Sequence, residues 1–130
     1  NPAAVRFVKD ASAAGKLTPE VGDKLFFWGA TPPVGLSELL SASGAGVLHI
    51  EDGFVRSVGL GSDLIPPLSL VLDERGIYFD ASRESDLEHL LNNEVFASGE
   101  LERARQARAF IVKHEITKYN LEPRKSANWL

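Results

Sequence analysis

Two short apolar runs, separated by one helix-length segment, do most to limit what this chain can fold into. The runs are Leu25-Phe26-Phe27-Trp28 and Gly46-Val47-Leu48-His49-Ile50. Each is too short for a buried helix and suits a buried strand. Between them, Leu36 to Ser43 reads as a helix whose stripe is Leu36, Leu39 and Leu40. Gly29 and Thr31-Pro32-Pro33 keep the first run from continuing as helix, and Gly44 and Gly46 close the helix. Upstream, Asn1-Pro2 has the form of a helix start, Ala3 to Ala14 is rich in helix formers, and Gly15 stops it. The order helix, strand, helix, strand with short connections implies a right-handed crossover and a parallel sheet.

The second half carries weaker signals. Pro66-Pro67 restrict any strand there to Leu68–Leu72. Asp73-Glu74-Arg75-Gly76 is a turn, after which Ile77-Tyr78-Phe79 returns as a strand, so the two runs predict a hairpin. Ser85-Asp86-Leu87-Glu88 fits a capping box and predicts a helix to Leu91 or Asn93. A last helix is predicted from about Glu100, with Leu101, Ala104, Ala107, Phe110, Ile111 and His114 as its stripe.

Composition excludes several classes. A chain of 130 residues, 44% hydrophobic and 25% charged, is enough for one domain with a core. It has no cysteine, so disulfides and thiolate metal sites are ruled out. No apolar run approaches the roughly 20 residues that span a bilayer. The net charge of −4 is uneven: residues 100 to 125 are basic and the remainder acidic. An acidic body argues against nucleic acid as partner. The basic segment reads as a solvated helix face or as a contact for an anionic ligand or membrane surface. The chain also lacks methionine, which leads us to expect a single α/β domain, residues 1–130, cut from a larger multi-domain chain.

Chemistry concentrates in Glu51-Asp52-Gly53-Phe54-Val55-Arg56-Ser57-Val58-Gly59-Leu60-Gly61. In open α/β sheets the ligand crevice lies beyond the carboxyl ends of the strands. Glu51 and Asp52 fall there, either to orient a hydroxyl-rich substrate and act in acid–base chemistry or simply to end a strand in water. The planar fork of Arg56 suits a carboxylate or a phosphate, and equally an ion pair with Asp52 or Glu51. Gly59 and Gly61 allow a ligand close to the backbone, but the third glycine of a dinucleotide fingerprint is missing. Acids and arginine are expected to emerge together into an open groove. Ser57 has no nucleophile elbow around it. His49 reads as a core histidine, and no two histidines have metal-ligand spacing, so no metal is expected. Asp73, Glu74 and Asp80 read as turn acids. Trp28 reads as core, with stacking on a sugar as the other option.

Glu51 to Leu64 resembles a segment of bacterial capsule polysaccharide proteins of the KpsC type. Pro66-Pro67-Leu68-Ser69-Leu70-Val71-Leu72-Asp73, Gly76-Ile77-Tyr78-Phe79-Asp80-Ala81, Ser85-Asp86-Leu87-Glu88 and Lys118-Tyr119-Asn120-Leu121 continue the likeness, and Trp28-Gly29 matches a strand-end tryptophan. It covers roughly residues 24 to 121. The resemblance implies a retaining glycosyltransferase that moves β-linked Kdo, an eight-carbon acidic sugar, from CMP-Kdo to a lipid-linked acceptor. It implies one Rossmann-like, three-layer lobe with a mainly parallel sheet, half of a GT-B-like module. It also implies that Asp-Gln-Thr and Gly-Asp patterns and a second lobe lie beyond this chain, so the chain alone is expected to be inactive.

The resulting expectations are as follows. Glu51 and Asp52 are the catalytic candidates, although a later acid could equally be the nucleophile. Arg56, Ser57, Gly59, Gly61, Lys118, Tyr119 and Asn120 are the substrate-binding candidates. There is no cofactor; CMP-Kdo is the donor substrate. The partners are the nucleotide sugar, the lipid-linked glycan and the remainder of the parent chain, with self-association and membrane-surface contact as further options. The expected location is cytoplasmic, peripheral to the inner membrane. The alternative function is a non-catalytic sugar- or partner-binding module in capsule assembly or export.

Overall fold

The computed structural model describes residues 5–121. Its elements are α1 (Ala11–Gly15), β1 (Lys24–Trp28), α2 (Leu36–Ser43), β2 (Gly46–Asp52), β3 (Leu70–Asp73), α3 (Asp86–Asn93) and α4 (Ser98–Lys113). A single 3-10 turn spans Gly61–Asp63. The strands lie in the order β1-β2-β3. β1 and β2 are parallel, with Lys24 opposite Gly46 and Trp28 opposite Ile50. The predicted β1–α2–β2 unit is therefore present, and α2 has the predicted limits. Gly44 ends it in the left-handed conformation at φ 69°, donating its amide to the Leu40 carbonyl.

The residues form two compact units. One runs up to Glu51 and includes Leu72–Glu88; the other is Asp52–Val71 together with the residues from His89 onward. In the first unit Ala11, Phe27 and Leu36 form the core, with Leu25, Leu40 and Val47 packed on it. β1 is not buried on both faces as its apolar run predicted. Phe27 is buried, but Phe26 and Trp28, on the opposite face, are about half exposed. The alternation is that of a sheet with α1 and α2 on one side.

Three other expectations change. α1 begins only at Ala11, because the Asp10 carboxylate accepts the Ala13 amide at 2.8 Å and sets the cap there. The start signal read at Asn1-Pro2 lies outside the described residues. The predicted hairpin is absent: Ile77-Tyr78-Phe79 is a turn, with the Asp80 amide on the Ile77 carbonyl at 2.9 Å. The cause is Asp73. Its buried carboxylate accepts the amides of Arg75, Gly76 and Asp86 at 2.9, 2.7 and 2.9 Å, which curls the chain back instead of extending it. Ile77 is fully buried within that curl. The capping box at Ser85 forms as read, with the Glu88 amide donating to Ser85 Oγ at 3.1 Å and the Ser85 amide to Glu88 Oε2 at 2.9 Å.

In the second unit α4 starts at Ser98, where Glu100 accepts the Ala97 amide at 2.8 Å. Its predicted stripe is exposed along its whole length: among the described residues α4 buries no side chain.

Candidate functional site

Glu51 and Asp52 are the last two residues of β2, which runs two residues past its apolar run. Both are half-buried. From Asp52 the chain turns back on itself. The Gly53 amide donates to the Ser69 carbonyl at 3.0 Å, and the Leu68 amide to the Arg56 carbonyl at 2.7 Å. Ser69 Oγ donates to the Val55 carbonyl. A Cβ on Gly53 would lie 2.0 Å from Ser69 Oγ, so only glycine allows this crossing.

Arg56 does not stand open to a groove. It is only 6% exposed. Its Nε lies 2.7 Å from Asp52 Oδ1, in an ionic contact without the direction of a hydrogen bond. Its Nη1 donates to Ser57 Oγ at 2.9 Å and to the Ile65 carbonyl at 2.8 Å. Ser57, nearly fully buried, donates its own hydroxyl hydrogen bond to the Gly59 carbonyl at 2.8 Å. The guanidinium thus sits at the centre of the 52–65 loop and fixes its path. Gly61 lies against it: a Cβ there would meet Arg56 Nη2 at 2.9 Å. Gly59 takes φ 109°, a conformation open to glycine and strained for other residues.

The structure brings the two halves of the predicted set together. Lys118 O accepts the Arg56 amide at 2.8 Å and the Ser57 amide at 3.3 Å, and Tyr119 O accepts the Gly59 amide at 2.8 Å. Asn120 Nδ2 donates to the Ser57 carbonyl at 3.0 Å, across 63 positions. Asn120 is itself held by Thr117, each side chain accepting the other's amide at 3.0 Å. Lys118 Nζ stands 5.7 Å from the centre of the Tyr119 ring, within cation–π range. Arg56, Ser57, Gly59, Gly61, Lys118, Tyr119 and Asn120 therefore form one cluster. The amides of Arg56, Ser57 and Gly59 are paired, and a cation and an aromatic ring stand together at Lys118 and Tyr119.

In the first unit His49 is buried as read, with its ring 4.4 Å from that of Phe27 and its Nδ1 3.0 Å from the Gly29 carbonyl. A carbonyl can only accept, so Nδ1 carries the proton. Trp28, expected in the core, is 54% exposed at the carboxyl end of β1. Among the described residues no group of three or more His, Cys, Asp or Glu side chains could hold a metal ion. No helix among them is long and apolar enough to cross a membrane.

Residues 23–128 match the family model described as capsule polysaccharide biosynthesis protein. The chain belongs to that family. It is similar to the capsule polysaccharide modification protein LipA of Neisseria meningitidis serogroup A, at 47% identity over 75 residues, covering 58% of this chain and 11% of LipA. It is also similar to the lipopolysaccharide-processing protein LpsZ of Rhizobium meliloti, at 40% identity over 97 residues, covering 73% of this chain and 22% of LpsZ. Two solved KpsC structures from Thermosulfurimonas dismutans share the fold. The β-Kdo 2,4 transferase superposes with a TM-score of 0.65 at 40% identity, over 78% of this chain and 33% of that one. The β-Kdo 2,7 transferase gives 0.57 at 31% identity, over 82% of this chain and 34% of that one. The chain thus spans a small fraction of its curated relatives and about a third of the solved transferases.

The pairing of residues 56–59 with 118–120 has no signature in residue spacing. What pointed to it in the sequence was that both stretches resemble the same family.

Proposed function

We propose that this chain forms part of a glycosyltransferase that transfers β-Kdo from CMP-Kdo to a lipid-linked acceptor in capsule polysaccharide biosynthesis. The observation that carries this reading is the likeness to two solved KpsC proteins, a β-Kdo 2,4 transferase and a β-Kdo 2,7 transferase. In this reading Glu51 and Asp52, at the end of a parallel strand, face sugar hydroxyls or take the acceptor proton. The cluster of Arg56, Ser57, Gly59, Gly61, Lys118, Tyr119 and Asn120 shapes the substrate side of the lobe. Arg56 acts there by holding the loop, since its fork is already engaged. Lys118 and Tyr119 are the members able to meet an anionic sugar from outside. The reaction uses no cofactor beyond its nucleotide-sugar donor, and the enzyme works in the cytoplasm at the inner membrane face.

The test is transfer by the natural gene product that carries these residues. With CMP-Kdo and a Kdo-terminated glycolipid it should release CMP and lengthen the acceptor. Glu51→Gln and Lys118→Ala should each lower kcat/KM at least tenfold while the circular dichroism spectrum stays unchanged. Full transfer by both variants would remove these residues from the site. Sugar binding without any CMP release would favour the non-catalytic binding module instead.

A further inference from the structure

The two faces of the first unit's sheet differ in what lies on them. On one, Ala11 of α1 and Leu36 of α2 pack against Phe27. On the other, the parallel register sets Phe26 opposite Leu48 and Trp28 opposite Ile50. Phe26 and Trp28 are about half exposed there, and Leu48 and Ile50 are only partly covered. Leu72, on the neighbouring β3, is about half exposed as well. A parallel sheet normally carries helices on both sides, because each crossover helix lies against one of them. Here the crossover from β1 to β2 supplies α2 for the first face. The passage from β2 to β3 holds only a 3-10 turn, so it supplies no α-helix for the second.

The open face has the make-up of a contact surface. Its centre is Phe26, Leu48 and Ile50, all apolar. At its amino-terminal edge Lys24, two positions before Phe26, pairs with Glu74 at 2.7 Å. At its carboxyl-terminal edge Trp28 presents a broad apolar ring with one N–H donor. An apolar middle between polar ends matches the interior and rim of an interface.

Its size decides what can sit there. The five residues of β1 extend about 17 Å and three strands measure about 14 Å across, so the face offers roughly 240 Å². A stable dimer needs about 800 Å² from each partner, so a second copy held here alone would not stay. A segment of the same polypeptide needs far less area, because its tether removes most of the entropy lost on association. An α-helix of about eleven residues covers about 17 Å.

We infer that in the full-length protein this face seats an α-helix from outside the 130 residues, laid along β1 and β2 with an apolar stripe at i, i+3, i+4 and i+7. The chain corresponds to about a third of each solved KpsC transferase whose fold it shares, so proteins of that kind have ample chain to supply the helix. The inference holds whatever reaction the protein performs.

Photo-cross-linking in the natural gene product tests this. Irradiation of Trp28→p-benzoylphenylalanine should join that position to a helix-patterned peptide outside these 130 residues and within the same polypeptide, as read by mass spectrometry. The same probe at Val34, fully exposed in a turn, should give no such product. Cross-linked dimers would assign the face to a second copy, and a product within residues 1–130 would show the chain covering the face itself. Either overturns the inference, as does no product at all. Melting supplies a second reading that does not need the probe. Phe26→Ser should lower the Tm of the gene product by about 3 °C or more, and Val34→Ser by less than about 1 °C. Equal shifts would mean that Phe26 stays in water in the full-length protein, and would end the proposal.

Discussion

The guanidinium of Arg56 meets Asp52, Ser57 and Ile65, all within one loop. Removing one partner of a buried ion pair costs about 3–5 kcal/mol, so Arg56→Ala should lower unfolding stability by about 3 kcal/mol in urea titration. A loss under about 1 kcal/mol would mean that the pair is better solvated than its burial suggests. Gly53→Ala should cost about 1–3 kcal/mol by the same measurement, because the new methyl meets Ser69. At Asp80 the effect is protonic. The Ser82 hydroxyl and amide hydrogen bonds hold its carboxyl below the ordinary value, burial opposes them, and the charges of Arg83 and His49 help. A depressed carboxylate favours the folded state above its unfolded pKa, and that advantage is lost as pH falls through the folded value. Carbon-detected titration should therefore place the Asp80 midpoint below that of a free Asp, and Ser82→Ala should move it back up. An unchanged midpoint in the variant would remove the hydroxyl from the account.

Among the elements, those bounded by proline and glycine were the most legible. α2 falls between Pro33 and Gly44, and β1 ends at Gly29, because these residues set backbone angles whatever the tertiary context. The rest needed distant partners. Asp10 could be seen as a cap only once Ala13 was known to donate to it. The Asp73 carboxylate overrode a plausible strand at Ile77–Phe79 through amides up to 13 positions away. The α4 stripe has a helical period, yet period alone says nothing of what covers it. This difference predicts unequal costs. Leu36→Ala, in the first unit's core, should destabilise by about 2–5 kcal/mol. Leu101→Ala, on exposed α4, should cost no more than about 0.5 kcal/mol in the same chain. A large loss at Leu101 would show that α4 has a partner in solution. In the candidate site, the acids at the end of β2 were readable from strand position. The association of 56–59 with 118–120 was not, since apart from the Asn120 side chain it runs through backbone groups that carry no residue code.

For the molecule as a whole, the decisive proportion is that the chain corresponds to about a third of each solved β-Kdo transferase. The 130 residues alone are expected to turn over no CMP-Kdo; CMP release by this chain would place donor site and catalysis within it. The bonds that Lys118, Tyr119 and Asn120 make to the 56–59 loop also have a consequence in time. Closing a ring of some sixty residues carries an entropic cost that shorter turns do not. A nascent chain emerging from the ribosome can complete β1, α2 and β2 early. The loop after Asp52 can close its own local bonds, but its bonds to residues 118–120 form only after that later segment has been synthesised.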